Sequence, residues 1–286
     1  MARSARATFR VSADADPAAV DLSAVDPRGR PIGPKDKTAA AEQMADLAAT
    51  LDARQEALYA EAVGGGSRAV LLVLQGMDTS GKGGVIRHVA GLVNPQGLTI
   101  SSFKKPTAEE RAHHFLWRVR PKVPAPGQIG VFDRSHYEDV LIARVDGLVP
   151  EDVWRGRYAE ITAFESELAD QGVTVVKCML HISPTEQAER LLARLDDPAK
   201  VWKYNPSDID SRSKWPAYQQ AYADALHATD SDTAPWYVVP SDRKWYRNWA
   251  IAQILAETLT ELDPRFPPAT VDVEAERARI RASVIS

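Results

Sequence analysis

Residues 69–84 read AVLLVLQGMDTSGKGG. An uninterrupted apolar run of this kind suits a strand covered on both faces, as in a parallel sheet flanked by helices. It ends in Gly76, four further residues, then Gly81 and Lys82, which is the frame of a phosphate-binding loop. The feature commits the chain to a strand–loop–helix unit. Backbone N–H groups of a glycine-rich turn and of the helix start attract phosphate, and Lys82 adds a point charge. A glycine-rich turn with an incidental lysine is the bland alternative; the strand, the spacing and the paired glycines at 83 and 84 argue against it. Two departures need an explanation. Asp78 places a carboxylate where a polyanion should lie, and Gly83 stands where a serine or threonine hydroxyl would hold magnesium.

The pattern continues downstream. Apolar strand segments at 98–103, 128–133, 173–182 and 236–240 alternate with helical segments at 82–92, 107–120, 136–145, 150–172, 184–198, 211–230 and 241–262. Thr107 and Glu110 have the spacing of a capping box. Five strands alternating with helices predict an α/β fold with a parallel sheet covered on both sides. Residues 1–36 lack sustained periodicity and are expected to form an extended arm over the domain or a neighbouring subunit. A helix from Thr38 to Ala62, with Met44, Leu47, Leu51 and Leu58 on its apolar stripe, opens the P-loop domain at 37–265. The GGGS at 64–67 stops that helix, and a tail occupies 266–286.

Composition bounds the partners. The 286 residues carry a formal net charge of −4, so any polyanion site is a local basic patch on an acidic background. A generic nucleic-acid or membrane binder is excluded on that ground. The single cysteine, Cys178, rules out an internal disulfide, fits a reducing compartment and is expected to pack as a small hydrophobe in a strand. The N-terminus lacks the apolar core of a secretory signal, and no stretch approaches the roughly 18 apolar residues of a membrane span. A cytoplasmic protein is expected.

Three further segments carry charge in a telling order. IGVFDRSHYEDV at 129–140 is an apolar strand ending in Asp133, with Arg134 next, roughly fifty residues after the loop. Such an aspartate supports Mg²⁺ beside phosphates, at the strand edge where open α/β sheets bind ligands. Lys104 and Lys105 leave a strand end on that same edge; Arg111, Arg118, Arg120 and Lys122 follow, some of them on a solvated helix face. In the segment 189–215, Arg190 and Arg194 lie one turn apart on one helix face, and Lys200, Lys203 and Arg212 follow. This suits a lid over about 185–215 that closes on transferring phosphates and excludes water. Ordinary ion pairs to Asp196, Asp197, Asp208 and Asp210 account for part of these charges. Most of the seven tryptophans are expected in the core.

Taken together, GMDTSGKGG, FDRSHYEDVL and ERLLARLDDPAKVWK resemble the second family of polyphosphate kinases over roughly residues 40–262. The resemblance implies a three-layer α/β/α sandwich like that of nucleoside-monophosphate kinases, with a helical lid. It implies Mg²⁺-dependent (or Mn²⁺-dependent) transfer of phosphate between inorganic polyphosphate and purine nucleoside mono- and diphosphates, and a homo-oligomer, dimer or tetramer. Carried over by motif, Asp78, Lys82, Asp133, Arg134 and Arg194 are the expected catalytic residues, with Asp78 and Asp133 on the metal. Gly81, Gly83, Gly84, Lys104, Lys105, Arg118, Lys122, Arg190, Lys200 and Lys203 are expected to bind phosphate or polyphosphate. Thr107, Glu138, Asp139 and Arg212 are expected to support the nucleotide.

Within the family, the HYEDVL continuation resembles members acting on monophosphates, and often on diphosphates too. In that group position 133 is often asparagine, whereas this chain has Asp133. An ATP-dependent nucleoside-monophosphate kinase would predict a hydroxyl after Lys82, and Gly83 argues against it. A silent scaffold would predict loss of Lys82, Asp133 or the lid arginines. A nucleic-acid-binding ATPase would need a basic domain, against a pI near 5.9.

Overall fold

The structure, a computed structural model, describes residues 3–11 and 20–283. Five parallel strands form one sheet: β1 (Ala69–Gln75), β2 (Leu98–Ser102), β3 (Ile129–Asp133), β4 (Val173–His181) and β5 (Trp236–Pro240), in the order β2-β3-β1-β4-β5. The helices are α1 (Ala5–Phe9), α2 (Lys37–Val63), α3 (Lys82–His88), α4 (Ala108–Ala112), α5 (Ile142–Val145), α6 (Glu151–Asp170), α7 (Pro184–Leu195), α8 (Ser207–Ser213), α9 (Trp215–Thr229), α10 (Lys244–Leu262) and α11 (Val273–Ala282).

The continuous apolar run of β1 is explained by two cores. Leu71 and Val73 face one, which also holds Phe132, Phe164 and Trp236; Val70, Leu72 and Leu74 face the other, with Leu58, Tyr246 and Ile251. Alternation with a period of two thus sends every second residue to an opposite helical layer, and both layers are apolar. Cys178 is fully buried in β4, and burial pushes its thiol pKa up, so it packs as a hydrophobe.

Register then builds the site. Leu74 of β1 pairs with Asp133 of β3, so the phosphate-loop frame and the strand-end acid leave the sheet side by side. Arg134 N–H continues the ladder by donating to Leu74 O at 3.1 Å. Central β1 lies where the chain crosses to opposite sides of the sheet, the position at which α/β sheets bind ligands.

A buried polar network anchors the segment after β3. Lys177 of β4 donates to Glu165 Oε2 at 2.6 Å, to Tyr137 Oη at 3.0 Å and to Thr229 O at 2.7 Å. Tyr137 in turn donates to Glu165 Oε1 at 2.8 Å. Ser135, His136 and Tyr137 therefore point inward while Arg134, Glu138 and Asp139 remain at the sheet edge.

Several elements differ from the sequence expectation. The helix expected over 107–120 exists only as α4; its capping box forms, but His113 turns extended, and Phe115, Leu116, Arg118 and Val119 are drawn into the interior. Burying those side chains outweighs local propensity. The helix from Lys82 ends at His88, followed by a 3₁₀ turn at Ala90–Leu92 that contains Gly91. Residues 136–145 divide into a 3₁₀ turn, His136–Asp139, and α5. The helix expected from Ser211 begins at Ser207 as α8 and breaks before Pro216, which stands in the first turn of α9.

The arm is more ordered than an extended strap. Ala5 and Phe9 of α1 are buried, the Ala5 and Arg6 N–H groups donate to the Glu257 carboxylate, and Arg10 bridges antiparallel to Tyr237 at the sheet edge. The stretch 12–19 of the arm lies outside the described residues.

Candidate active site

The loop between β1 and α3 is a tight backbone cradle. Gly76 has φ +143°, and a Cβ there would stand 2.7 Å from Leu180 O. Thr79 and Arg134, both non-glycine, have φ of +63° and +62°. Left-handed conformations at such residues are costly and are held where the surroundings over-determine them.

Lys82 opens α3 and folds back under the loop, its Nζ donating to Gly76 O at 2.7 Å. Burial pulls its pKa down, as does neighbouring Arg134, while Asp78, Asp133 and Glu138 act in the opposite sense. Its ammonium thus lies within the field of three carboxylates and one guanidinium.

Arg134 completes the cluster. Nη2 donates to Asp78 Oδ1 at 2.7 Å, and Nη1 lies 4.0 Å from Glu138 Oε2. Burial works against its charge, but Glu138 and Asp78 outweigh that and raise its pKa. Glu138 responds differently: burial pushes its carboxyl pKa up, although Arg134 and Lys82 favour its anion. Asp133 makes no ion pair or side-chain hydrogen bond among the described residues, leaving both its oxygens available.

A cleft lies in front of this cluster. Gly76, Met77 and Asp78 form one wall and Arg134, Glu138 and Ile142 another; Ser211 of the lid segment closes it together with Tyr218 and Tyr222 of α9. Burial, then Glu138 and Asp78, raises the Tyr222 hydroxyl pKa well above its ordinary value, so it stays a neutral phenol. No sequence motif marks either tyrosine; their four-residue spacing, which puts them on one face of a helix, is the one signal they carry.

The lid segment is tied to the loop by polar contacts. Gln187 Nε2 donates to Asp78 O at 3.0 Å, and Arg212 Nη1 donates to Pro184 O at 2.5 Å and Gln187 Oε1 at 3.1 Å. Arg194 donates to Lys203 O at 3.2 Å and Asp208 Oδ2 at 3.3 Å. Burial, then Asp78, raises the Asp208 pKa, which places that lid acid in the field of the site. Lys200 pairs with Asp197, and Lys203 lies over the Trp202 ring, 5.0 Å from its centroid.

The expected residues divide accordingly. Asp78, Lys82, Asp133, Arg134 and Glu138 converge. Gly81, Gly83 and Gly84 line the turn into α3, with Gly83 facing open space. Arg190 points elsewhere than a phosphate cation should: it donates to Glu186 at 2.8 Å, and its Nη atoms donate to the carbonyls of Thr79, Ser80, Ser241 and Asp242 at 2.7–3.1 Å. With its donors committed, it braces the loop from behind. Arg118 is also buried, donating to Lys104 O at 2.8 Å and lying 3.6 Å from Asp139 and 3.8 Å from Glu110. Burial raises the Asp139 pKa, against the pull of Arg157 and Arg118. Thr107 caps α4. Lys104, Lys105 and Lys122 are exposed and unpaired among the described residues.

A parallel-sheet fold with a glycine-rich cradle, a buried lysine, one acid in the loop, another at a strand end and an arginine beside them defines a phosphotransferase of the P-loop kinase type. Residues 34–267 match the family model for polyphosphate kinase 2, so the chain belongs to that family and is a polyphosphate kinase. An AMP/ADP-polyphosphate phosphotransferase from Meiothermus ruber is 49% identical over 231 residues, covering 81% of this chain and 85% of that one. An ADP-polyphosphate phosphotransferase from Rhodopseudomonas palustris is 41% identical over 256 residues, 85% of each chain. The crystal structure of polyphosphate kinase 2 from Arthrobacter aurescens TC1 superposes with a TM-score of 0.94 at 45% identity, covering 99% of this chain and 98% of that one.

Proposed function

We propose that the enzyme moves phosphate between inorganic polyphosphate and purine nucleoside mono- and diphosphates, AMP and ADP foremost and GMP and GDP in the same pocket. The observation that carries this is the convergence of Lys82, Arg134, Asp78, Asp133 and Glu138 at one sheet edge. The names of the Meiothermus and Rhodopseudomonas relatives support the acceptors.

A donor without a base offers only phosphate oxygens to recognise, so its affinity must come from backbone N–H groups and cations. Lys82 and Arg134 are placed to neutralise charge on the group in transit. Phosphoryl transfer needs in-line positioning and charge compensation more than covalent help. The buried Tyr218 and Tyr222 wall one side of the cleft and shield that side from bulk water, which strengthens each of these interactions.

Asp78 and Asp133 fit Mg²⁺, or Mn²⁺, as hard carboxylate ligands. Among the described residues no group of three or more acids, histidines or cysteines is arranged to hold a metal. That suits an ion taking one or two carboxylates from the protein and the rest of its ligands from substrate phosphates and water. When bound, the ion would supply the positive charge that reconciles Asp78 with a polyanion.

The protein is further proposed to act in the cytoplasm as a homo-oligomer. No described helix is long and apolar enough to cross a membrane. The test of the activity is direct: purified protein with Mg²⁺ and polyphosphate is incubated with AMP, ADP, GMP or GDP, and products are separated by chromatography. Phosphorylated nucleotide is expected. Absence of transfer from polyphosphate, with ATP serving as donor instead, would refute the proposal.

A further inference from the structure

Behind the phosphate loop, on the side away from the cleft, lies a second guanidinium that neither the spacing of motifs nor the acid cluster accounts for. Arg247, near the start of α10, is 2% exposed. Its Nη1 donates to Ser80 O at 3.0 Å, and its Nε and Nη2 donate to Asn248 Oδ1 at 3.2 and 2.8 Å. Its group lies directly against the loop. A Cβ on Gly81 would come within 1.7 Å of Nη1, and one on Gly84 within 2.7 Å of Nη2. Two of the three glycines at the turn therefore make room for an arginine of the protein.

The charge of Arg247 is the unusual part. A buried arginine normally faces a carboxylate, because a desolvated charge without a partner is strongly disfavoured. Arg190 obeys this with Glu186, but Arg247 forms no ion pair among the described residues, and its acceptors are a carbonyl and an amide. Burial, and secondarily Arg190, draws its pKa down to about 9. As a packing solution for the α10–loop contact, an apolar side chain would be better.

The hydrogen bond also has a direction. In a trans peptide the C=O and the following N–H point opposite ways. Arg190 and Arg247 both hold the Ser80 carbonyl to the rear, so the Gly81 N–H is turned away from them, and it donates to no group among the described residues.

We infer that Arg247 is a positioning residue for the polyphosphate donor: it fixes the Ser80–Gly81 peptide with its N–H toward the phosphate side, and its counter-charge is the bound polyanion. The inference rests on the assignment of the loop to donor phosphates and goes beyond it by naming an arginine that touches no substrate.

Arg247→Gln, which keeps a donor and removes the charge, is to be compared with Arg247→Lys, which keeps the charge. Polyphosphate KM, nucleotide KM and kcat are measured together with the melting-temperature rise produced by inorganic tripolyphosphate. Hydrogen bonds to charged groups predict that Arg247→Gln raises polyphosphate KM about tenfold or more. Nucleotide KM should stay near wild type, the tripolyphosphate shift should be lost, and Arg247→Lys should recover most of both. Unchanged polyphosphate KM overturns the inference. So does a parallel loss of both KM values and melting temperature that lysine fails to rescue, which marks a structural residue. If the glutamine variant fails to fold, Asn248→Ala removes the acceptor that holds Nε and Nη2, and a folded variant with wild-type polyphosphate KM is equally fatal. Lys82→Ala serves as the control: if it abolishes transfer while Arg247→Gln leaves polyphosphate KM unchanged, the loop assignment stands and the inference about Arg247 falls.

Discussion

Arg134 Nη2 donates to Asp78 Oδ1 across 2.7 Å, joining the end of β3 to the middle of the phosphate loop. The loop acid and the strand-end arginine hold each other in place before any ligand arrives. Removing either member is expected to lower kcat by about 10²–10³-fold, the scale of losing one preorganised charge-stabilising group. Because each change also frees the other side chain, Asp78→Asn combined with Arg134→Ala should cost less than the sum of the two single effects. A double-mutant cycle in kcat/KM measures this; strict additivity would mean that the two act independently.

Lys82→Ala should abolish measurable transfer while the far-ultraviolet circular dichroism stays native. Its Nζ bonds only loop carbonyls, and burial already lowers its pKa, so the fold loses little by its removal. Turnover within threefold of wild type would take Lys82 out of the mechanism.

The three glycines at the turn should respond unequally. Gly81→Ala meets both φ +111° and the Arg247 guanidinium, and is expected to lose stability as well as activity. Gly83 has no heavy atom within 4 Å of a Cβ built on it, so Gly83→Ala should fold as well as wild type. Urea unfolding of the two variants tests the ranking, and equal midpoints would contradict it.

Glu138 gives a pH signature. Burial raises its pKa in the folded chain above the ordinary 4.5, so in the window above that value the native state keeps a proton that the unfolded chain has released. Stability from this group falls as pH rises through the window. Glu138→Gln removes the effect, and its unfolding free energy should exceed that of wild type by a margin that grows as the pH rises above 4.5. A constant margin would show that Glu138 titrates alike in both states.

The Lys177–Glu165 pair supports the segment that carries Arg134 and Glu138. Lys177→Met leaves a buried carboxylate without its partner and should destabilise by about 3–5 kcal/mol. Adding Glu165→Leu should restore much of that loss, since two apolar groups replace a costly desolvated pair. Chemical denaturation of the single and double variants distinguishes this from simple loss of packing, in which the second change would make matters worse.

The loop, β1, β3 and the Asp133–Arg134 edge were legible because their signals are local. An apolar run, a glycine frame and a strand-end acid each declare themselves within a few residues. The lid arginines were legible as charges but not as roles. Arg190 and Arg194 share a helix face, yet one bonds four backbone carbonyls behind the loop and the other faces Asp208. The sequence pattern puts Arg118 on a helix that the chain abandons after Ala112, because burying Phe115 and Leu116 outweighs continuing the turn. Tyr222 and Arg247 reach the site from 144 and 165 residues beyond Asp78 and Lys82, a separation no motif spans.

The sequence by itself determined a doubly covered parallel sheet, a phosphate loop at its edge and an acid–arginine pair to meet it, since hydrophobic periodicity and glycine freedom act over neighbouring residues. It also left Asp78 and Gly83 as anomalies in that loop. Only the tertiary structure showed that Asp78 is matched by Arg134, that Gly83 faces open space, and that Gly81 and Gly84 accommodate Arg247. Long cationic side chains have many rotamers and similar sequence signatures. Which of them faces phosphate and which faces a carbonyl is decided by desolvation and hydrogen-bond geometry, once distant segments have packed.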